Sequence, residues 1–514
     1  MAQQSNTSIQ SVPLAVNFGW RGVYSPSNAL KDAWAKNIFV EKEADGPYSV
    51  KRPGMAYSYQ LNTLGLANTI MQGGWISGNN VGCVVMNDKI ISLPVGVTPA
   101  TIQSTVPLGS QPAGQWYKSL HTLTSSAGVD VLQSPYAVYT GTVASVTQVI
   151  LPNGGYQLCP GIAELDASLY CMDIFGHIWS SSPNIPGTWP ALNFVTTDPV
   201  LMQPLALARH LNYIVAFGSN ALQLFYDAGI SPGSVLAGVQ GGIFLQGMAP
   251  IGQFSLAETD DSHFWLGTAD AGNLCILMLT GLQVQRISTP AVERFLQSTF
   301  IGTAAPGTQA SSVTIRGFTV KAGGHSFYIL TNCSPLDTTG AGSTIVYDIT
   351  TQTWTVWTQQ SLYTATSPAG SLGTTPFEGP VRAWGSINAP GAFPLLPDMN
   401  NGRGLQFTDL NYQDDSQTIN VLIQTDLESW GSQRVKFLPA TYLLTDTTPT
   451  SLMISWTDDD YQTFSTPQVV SGANTKKQFI RCGSTIERAW QVTHADNSPM
   501  RFYSVEVEVQ AGAL

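Results

Sequence analysis

The sequence predicts an all-β chain: a β-propeller of about six blades, followed by a β-sandwich-like platform domain. Three observations carry this expectation. A strand–turn–strand unit recurs along the chain, helical periodicity is scarce, and charged residues make up only 11% of the 514 residues. Soluble domains carry about 25%, and here Gly, Ser, Thr, Asn and Gln supply the polarity instead. That balance suits sheets joined by many turns. It also suits a surface covered by partners, because interface cores are depleted in Lys and Glu.

The unit is a short apolar strand, a tight turn rich in Gly, Asn or Asp, and a second strand. It appears first from Gly82 to Leu93, turning at Asn87-Asp88, and again from Ser168 to Ser182, turning near Gly176. Copies follow from Leu211 to Asp227 and from Ser262 to Leu279. A fifth begins at Gly324 and is answered by Thr344 to Trp357; a weaker sixth begins at Val381 and ends at Leu410. Starts fall 43 to 62 residues apart, except across one longer gap. The gap holds residues 94–150, rich in Ser, Thr, Gln and Gly, and is expected to be an insertion projecting from one blade. The propeller is thus assigned to residues 61–410, closed so that no long sheet edge is exposed. Ordinary hairpins in a sandwich are the alternative.

Residues 411–514 alternate differently, in runs such as Arg434–Thr445, Ser451–Trp456, Lys477–Gly483 and Phe502–Gln510. They are expected to form the separate platform, with residues 1–60 packing on it. Two helices are expected. One covers residues 27–38, with Leu30, Trp34 and Ile38 on one face; the other follows Ser288-Thr289, with Pro290 at its first position and Glu293 in its first turn.

The net charge is −11, which argues against a tight or sequence-reading nucleic-acid binder, since such proteins displace phosphate counterions with Lys and Arg. Six cysteines lie far apart with no CxxC, so neither a disulfide framework nor a zinc site is expected. The segment MAQQSNTSIQ shows no leader pattern, and no apolar run approaches a membrane span. Assembly in a cytoplasm is the expectation.

No catalytic, cofactor-binding or metal-binding residue is assigned. His121, His177, His210, His263, His325 and His494 are isolated in sequence, and structural roles are expected for them. Gly154-Gly155, Gly241-Gly242 and Gly323-Gly324 lack the lysine and helix of a phosphate loop. Glu258, Asp260 and Asp261 could supply an acid–base pair, yet they flank a strand start, where carboxylates form turns. The segment Trp456–Phe464 is similar to the Asp-box turn of sialidases, with Thr457, Asp459, Thr463 and Phe464 matching and Tyr461 in the glycine position. Asp458 to Asp460 lack the spaced ligand set of a calcium loop.

The order of segments resembles the packaged-DNA stabilisation, or tail-nozzle (hub), family of short-tailed bacteriophages. The resemblance runs through YIVAFGSNALQLFY (Tyr213 to Tyr226), FSLAETDDSHFWLGTADAGN (Phe254 to Asn273) and RISTPAVE (Arg286 to Glu293). It continues through GGHSFYIL (Gly323 to Leu330), TIVYDITTQTWTVW (Thr344 to Trp357) and SWTDDDYQTFSTP (Ser455 to Pro467). KRPGM, from Lys51 to Met55, stands at the place of that family's R/T-P-G segment. The 94–150 segment and the Cys333 to Ser343 loop depart from it. The resemblance implies a non-enzymatic virion tail protein assembled in the host cytoplasm. It would form a homohexameric ring below the portal and head-to-tail adaptor proteins, meet tail fibres or spikes, and pass double-stranded DNA without sequence-specific binding. It would hold packaged DNA and guide its ejection. The rivals are a sialidase-like propeller glycosidase, which should show clustered arginines and several Asp-boxes, and a kelch-like protein-interaction propeller. The twelve arginines are scattered, and there is one degenerate box.

Overall fold

The computed structural model describes residues 7–12, 34–43, 46–60, 71–76, 82–86, 89–93, 101–105, 118–123, 128–229, 233, 235–259, 261–268, 272–297, 300, 315–332, 343–361, 377–380, 395–398, 403–408, 411–414, 417–447, 451–471, 476–480 and 482–511. Between Met71 and Val356 the strands form six consecutive four-stranded antiparallel meanders. Blade one contains Met71–Ile76, Gly82–Met86, Lys89–Leu93 and Thr101–Thr105. Blade two contains Lys118–Leu123, Gly128–Gln133, Val138–Thr142 and Ser145–Val149. Blade three contains Leu158–Leu165, Ser168–Asp173, His177–Ser180 and Phe194–Thr196. Blade four contains Pro204–His210, Tyr213–Gly218, Leu222–Asp227 and Leu236–Phe244. Blade five contains Ala257–Glu258, Ser262–Thr268, Leu274–Thr280 and Gln283–Arg286. Blade six contains Ile315–Ala322, His325–Asn332, Ser343–Asp348 and Thr353–Val356, the last four of these six-blade strands.

The first strands of neighbouring blades lie side by side, as Leu158–Leu165 does against Pro204–His210, which makes them the innermost strands of a β-propeller. Their backbones approach closely. A Cβ on Gly161 (φ +113°) would stand 1.9 Å from the Leu207 carbonyl oxygen of the next blade, and one on Gly317 would stand 2.0 Å from the Ser255 oxygen. Only glycine fits there.

The recurrent unit in the sequence is the second strand, its turn and the third strand of a blade. These strands are apolar on both faces because each blade is sandwiched by two others. In Tyr213–Gly218, Ile214 and Ala216 pack into a cluster shared with blade three, while Val215 and Phe217 join Trp265 and Leu277 of blade five. In blade three, Cys171 faces Val131 and Val138 of blade two, and its neighbours Tyr170 and Met172 face blade four. Alternating side chains therefore reach opposite blades.

Three expectations need correction. Residues 94–150 hold the outer strand of blade one and all of blade two, not a projecting insertion. Its outer strand Ser145–Val149 exposes Ser145, Thr147 and Gln148 and buries only Val146 and Val149, so the apolar signal there is thin. Of the weak sixth copy, Arg403–Thr408 pairs with Gly54–Gln60 and not within a blade, and Val381 to Ile387 lie outside the described residues. Within the expected helix at 27–38, residues Trp34–Lys36 are a strand and Ile38 opens another; tertiary pairing overrides the spacing of Leu30, Trp34 and Ile38. The helix at Pro290–Leu296 forms as expected, with Thr289 as N-cap and Glu293 in its first turn.

The C-terminal strands build a sandwich together with N-terminal ones. Arg501–Ala511 pairs with Thr7–Val12, Gly46–Lys51 and Ala440–Thr445 in one sheet. Opposite it, Val421–Gln424, Ala489–His494 and Ser451–Thr457 form a second. Ile38, Ile423, Leu443, Trp490, Val492, Phe502 and Val505 fill the space between them. This second sheet does not stop at the platform. Trp34–Lys36 pairs antiparallel with Val421–Gln424 and, at Lys36, parallel with Val356 at the outer edge of blade six. One nine-stranded sheet thus runs from propeller to platform.

Arg52 welds the joint. It is fully buried and places all five of its guanidinium N–H groups. Nε donates to Asn37 Oδ1 at 3.1 Å; Nη1 donates to the Pro53 carbonyl and to Asp414 Oδ1, both at 3.0 Å. Nη2 donates to the Thr358 carbonyl at 2.7 Å and to Asp414 Oδ2. Asn37, at φ 59°, also holds Thr358 Oγ1 and the Asn420 carbonyl through Nδ2.

Replacing Arg52 leaves a buried carboxylate without its counterion. R52M should cost about 3–5 kcal/mol in stability, read as a lower denaturant midpoint. The double variant R52M/D414L should recover much of that loss, since it removes both charges.

Candidate functional site

The structure places the polar residues singled out in the sequence at blade turns and blade interfaces. In blade three, Asp173 ends its strand and is buried beneath the turn that follows. Its Oδ1 accepts from the backbone N–H groups of Phe175 (2.9 Å) and His177 (3.1 Å). Its Oδ2 accepts from Trp179 Nε1 and meets His177 Nδ1, both at 3.0 Å. Blade six repeats the device with different partners. Asp348 meets buried His325 Nδ1 at 2.7 Å and accepts from the Thr350 and Thr351 backbones and the Thr351 hydroxyl. In both blades a tryptophan follows six residues after the aspartate, Trp179 and Trp354. Only Trp179 bonds its aspartate, however; Trp354 Nε1 donates to the Ile287 carbonyl at 3.2 Å.

His210 and His263, far apart in sequence, come together at the boundary of blades four and five, with Nδ1 atoms 3.2 Å apart. Glu258 is exposed and lies 3.6 Å from His263 Nε2, while Asp261 accepts from the Ser262 hydroxyl. Asp260 and the side chain of His121 lie outside the described residues. His494 sits in the platform, buried beside Lys51, with Nε2 3.2 Å from Ser498 Oγ. Burial and the neighbouring Lys51 ammonium lower its pKa to about 4. Among the described residues, no group of three His, Cys, Asp or Glu side chains is placed to hold a metal ion.

The cysteines are equally quiet. Cys83, Cys159, Cys171, Cys275 and Cys482 are buried thiols outside any disulfide. Burial pushes the Cys159 and Cys171 thiols far up and that of Cys275 to about 11, so thiolates are scarce at neutral pH. Cys333 lies outside the described residues.

The Trp456–Phe464 segment is a closed turn. Asp459 accepts from the Thr457 hydroxyl at 2.8 Å, the Gln462 N–H at 3.1 Å, the Thr463 N–H at 2.9 Å and the Thr463 hydroxyl. The Thr463 bonds lead in lowering its pKa to about 2. Tyr461 takes φ +62° in the glycine position, and its buried hydroxyl donates to the Thr425 carbonyl at 2.8 Å. Asp458 is engaged by Arg488, whose Nε and Nη2 both donate at 2.7 Å. These carboxylates are occupied by protein donors, as a structural turn requires.

Residues 198–331 match a family model of phage stabilisation proteins described as Bacteriophage P22 Gp10, beta-propeller. The matched stretch holds blades four and five and the first two strands of blade six. It supports, at family level, a role in a phage tail or in stabilising phage DNA, and a place in the virion. No curated protein matches the sequence. Loose likenesses exist among solved structures. The N-terminal domain of Nup159 is 10% identical, with 73% of this chain and 98% of that one covered at a TM-score of 0.38. The Neurospora crassa Pan2 WD40 domain is 9% identical, covering 79% and 99% at 0.34. An exo-beta-1,3-galactanase from Phanerochaete chrysosporium is 10% identical, covering 77% and 97% at 0.27. Scores this low carry no functional weight.

The depressed pKa of His494 sets a direction for pH dependence. The unfolded chain takes up this proton near pH 6.5, the folded chain only near pH 4. The resulting stabilisation is complete above about pH 6.5 and is lost as pH falls through about 4. H494Q should therefore flatten this part of the profile when urea midpoints of wild type and variant are compared at pH 7 and pH 4.5.

Proposed function

We propose that the chain is a structural subunit of the tail of a short-tailed bacteriophage: a nozzle or hub ring that extends the DNA channel beneath the portal and adaptor, retains packaged DNA and guides its ejection. The observation that carries this reading is the family match over residues 198–331. It falls on the stretch whose motifs, from Tyr213 to Leu330, run in the order of that family. The subunit would assemble as a homohexamer in the host cytoplasm, with the head-to-tail adaptor proteins on one side and fibres or spikes around it.

The charge of the chain supports the same reading. A net charge of −11 with only 22 Lys and Arg suits a channel wall that repels phosphate. Double-stranded DNA is then confined by shape and never held by ion pairs. The role is non-enzymatic. Asp173, Asp348, Asp459 and His325 engage backbone and side-chain groups within their own blades or turns, which leaves them no acid–base task.

The measurement is the mass and projected shape of the purified chain, alone and with its neighbouring tail proteins. A ring of six copies, alone or on the adaptor, is expected. A chain that stays monomeric with the adaptor present overturns the ring. Glycosidase turnover abolished by changing one carboxylate overturns the non-enzymatic role.

A further inference from the structure

Blades four and five share a pair of buried imidazoles that the tail role does not use. His210 ends the inner strand Pro204–His210, and His263 lies at the start of Ser262–Thr268. Their rings stand nearly perpendicular, at 81°, with centroids 5.1 Å apart. His210 Nε2 is 2.6 Å from the Gly281 carbonyl, in the turn between the third and outer strands of blade five. His263 Nε2 is buried and has no hydrogen-bond partner among the described residues.

These contacts fix where the protons sit. A carbonyl only accepts, so Nε2 of His210 carries its hydrogen. The neutral His210 ring then offers a bare Nδ1, and Nδ1–H of His263 donates to it across the blade boundary. His263 Nε2 is left as a bare base facing Glu258 at 3.6 Å. A first added proton fits on that atom, beside a carboxylate, and leaves the N–H···N bond intact. A second can bind only at His210 Nδ1, where it meets the other N–H head on. The bond is then lost, and two cations confront one another in a buried site.

We propose that the His210–His263 pair is an acid-released latch between blades four and five, closed with one proton or none added and open when both rings are charged. The carboxylates facing it are Glu258 and Asp261 of blade five; burial and His263 oppose charge on His210, while the bond to the Gly281 carbonyl and Asp261 favour it. Burial is the larger effect and lowers the His210 pKa, so release belongs to acid conditions. The inference does not depend on the assignment to a phage tail.

Hydrogen exchange of the full chain, read by mass spectrometry and corrected for intrinsic rates, tests it between pH 7.5 and pH 4.5. Peptides covering residues 204–214 and 257–268 should exchange roughly tenfold faster at pH 4.5 relative to blade-three peptides in the same sample. H263F should abolish that relative step, and so should H263N, which keeps a smaller polar side chain at the site. Two outcomes overturn the latch: exchange in these peptides that tracks blade three at every pH, or a step that persists in both variants. A third is protection of the pair by added zinc at pH 7.5, because 3.2 Å also suits two nitrogens at about 2.0–2.1 Å from one tetrahedral ion.

Discussion

The buried guanidinium of Arg52 is the constraint on which the connection between the two halves of the molecule rests. A charge removed from water is tolerable only when it is paired and each of its hydrogens is placed. Arg52 meets that condition with acceptors from four separate places in the chain: Asn37, Pro53, Thr358 and Asp414. Each partner is thereby fixed against the others. Asn37 is held in its left-handed backbone by long-range bonds of its amide to Thr358 Oγ1 and the Asn420 carbonyl. Met55, beside this cluster, is buried against Phe39 and Trp357. Segments more than 300 residues apart in sequence are thus held as one polar knot with an apolar surround.

Within the propeller the governing constraint is different. A central blade has no solvent face, so its strands bury side chains alternately against two neighbours. This is why apolar residues run consecutively in YIVAFG and LYCM, and why the inner strands need glycine where backbones nearly touch, at Gly161 and Gly317. The turns are held by carboxylates under them. Asp173 and Asp348 satisfy backbone N–H groups that would otherwise be stranded at the blade end.

This explains what the sequence made legible. The blades with long consecutive apolar runs are recognisable, and their turns fall at Gly176 and at Gly218 to Asn220, as the sequence indicates. Blade two escapes because its outer strand Ser145–Val149 exposes Ser145, Thr147 and Gln148, leaving little apolar signal there to register. Trp34 and Ile38 satisfied helical spacing, yet their neighbours supply pairing partners from strands over 300 residues away, and local pattern cannot encode that. The histidine pair was invisible for the same reason: 53 residues separate His210 and His263, and only the stacking of blades joins them. The helix at Pro290 was legible because its cap, proline and acidic first turn are all local.

The shared nine-stranded sheet also has a mechanical consequence. Blade six is hydrogen-bonded through Lys36 and Val356 into the platform, and the Arg52 knot lies beside that bridge. Tension on the platform would reach the propeller first through this edge, as shear along strands held side by side. Blades two to five, bound to their neighbours by interdigitated side chains, would receive it only afterwards.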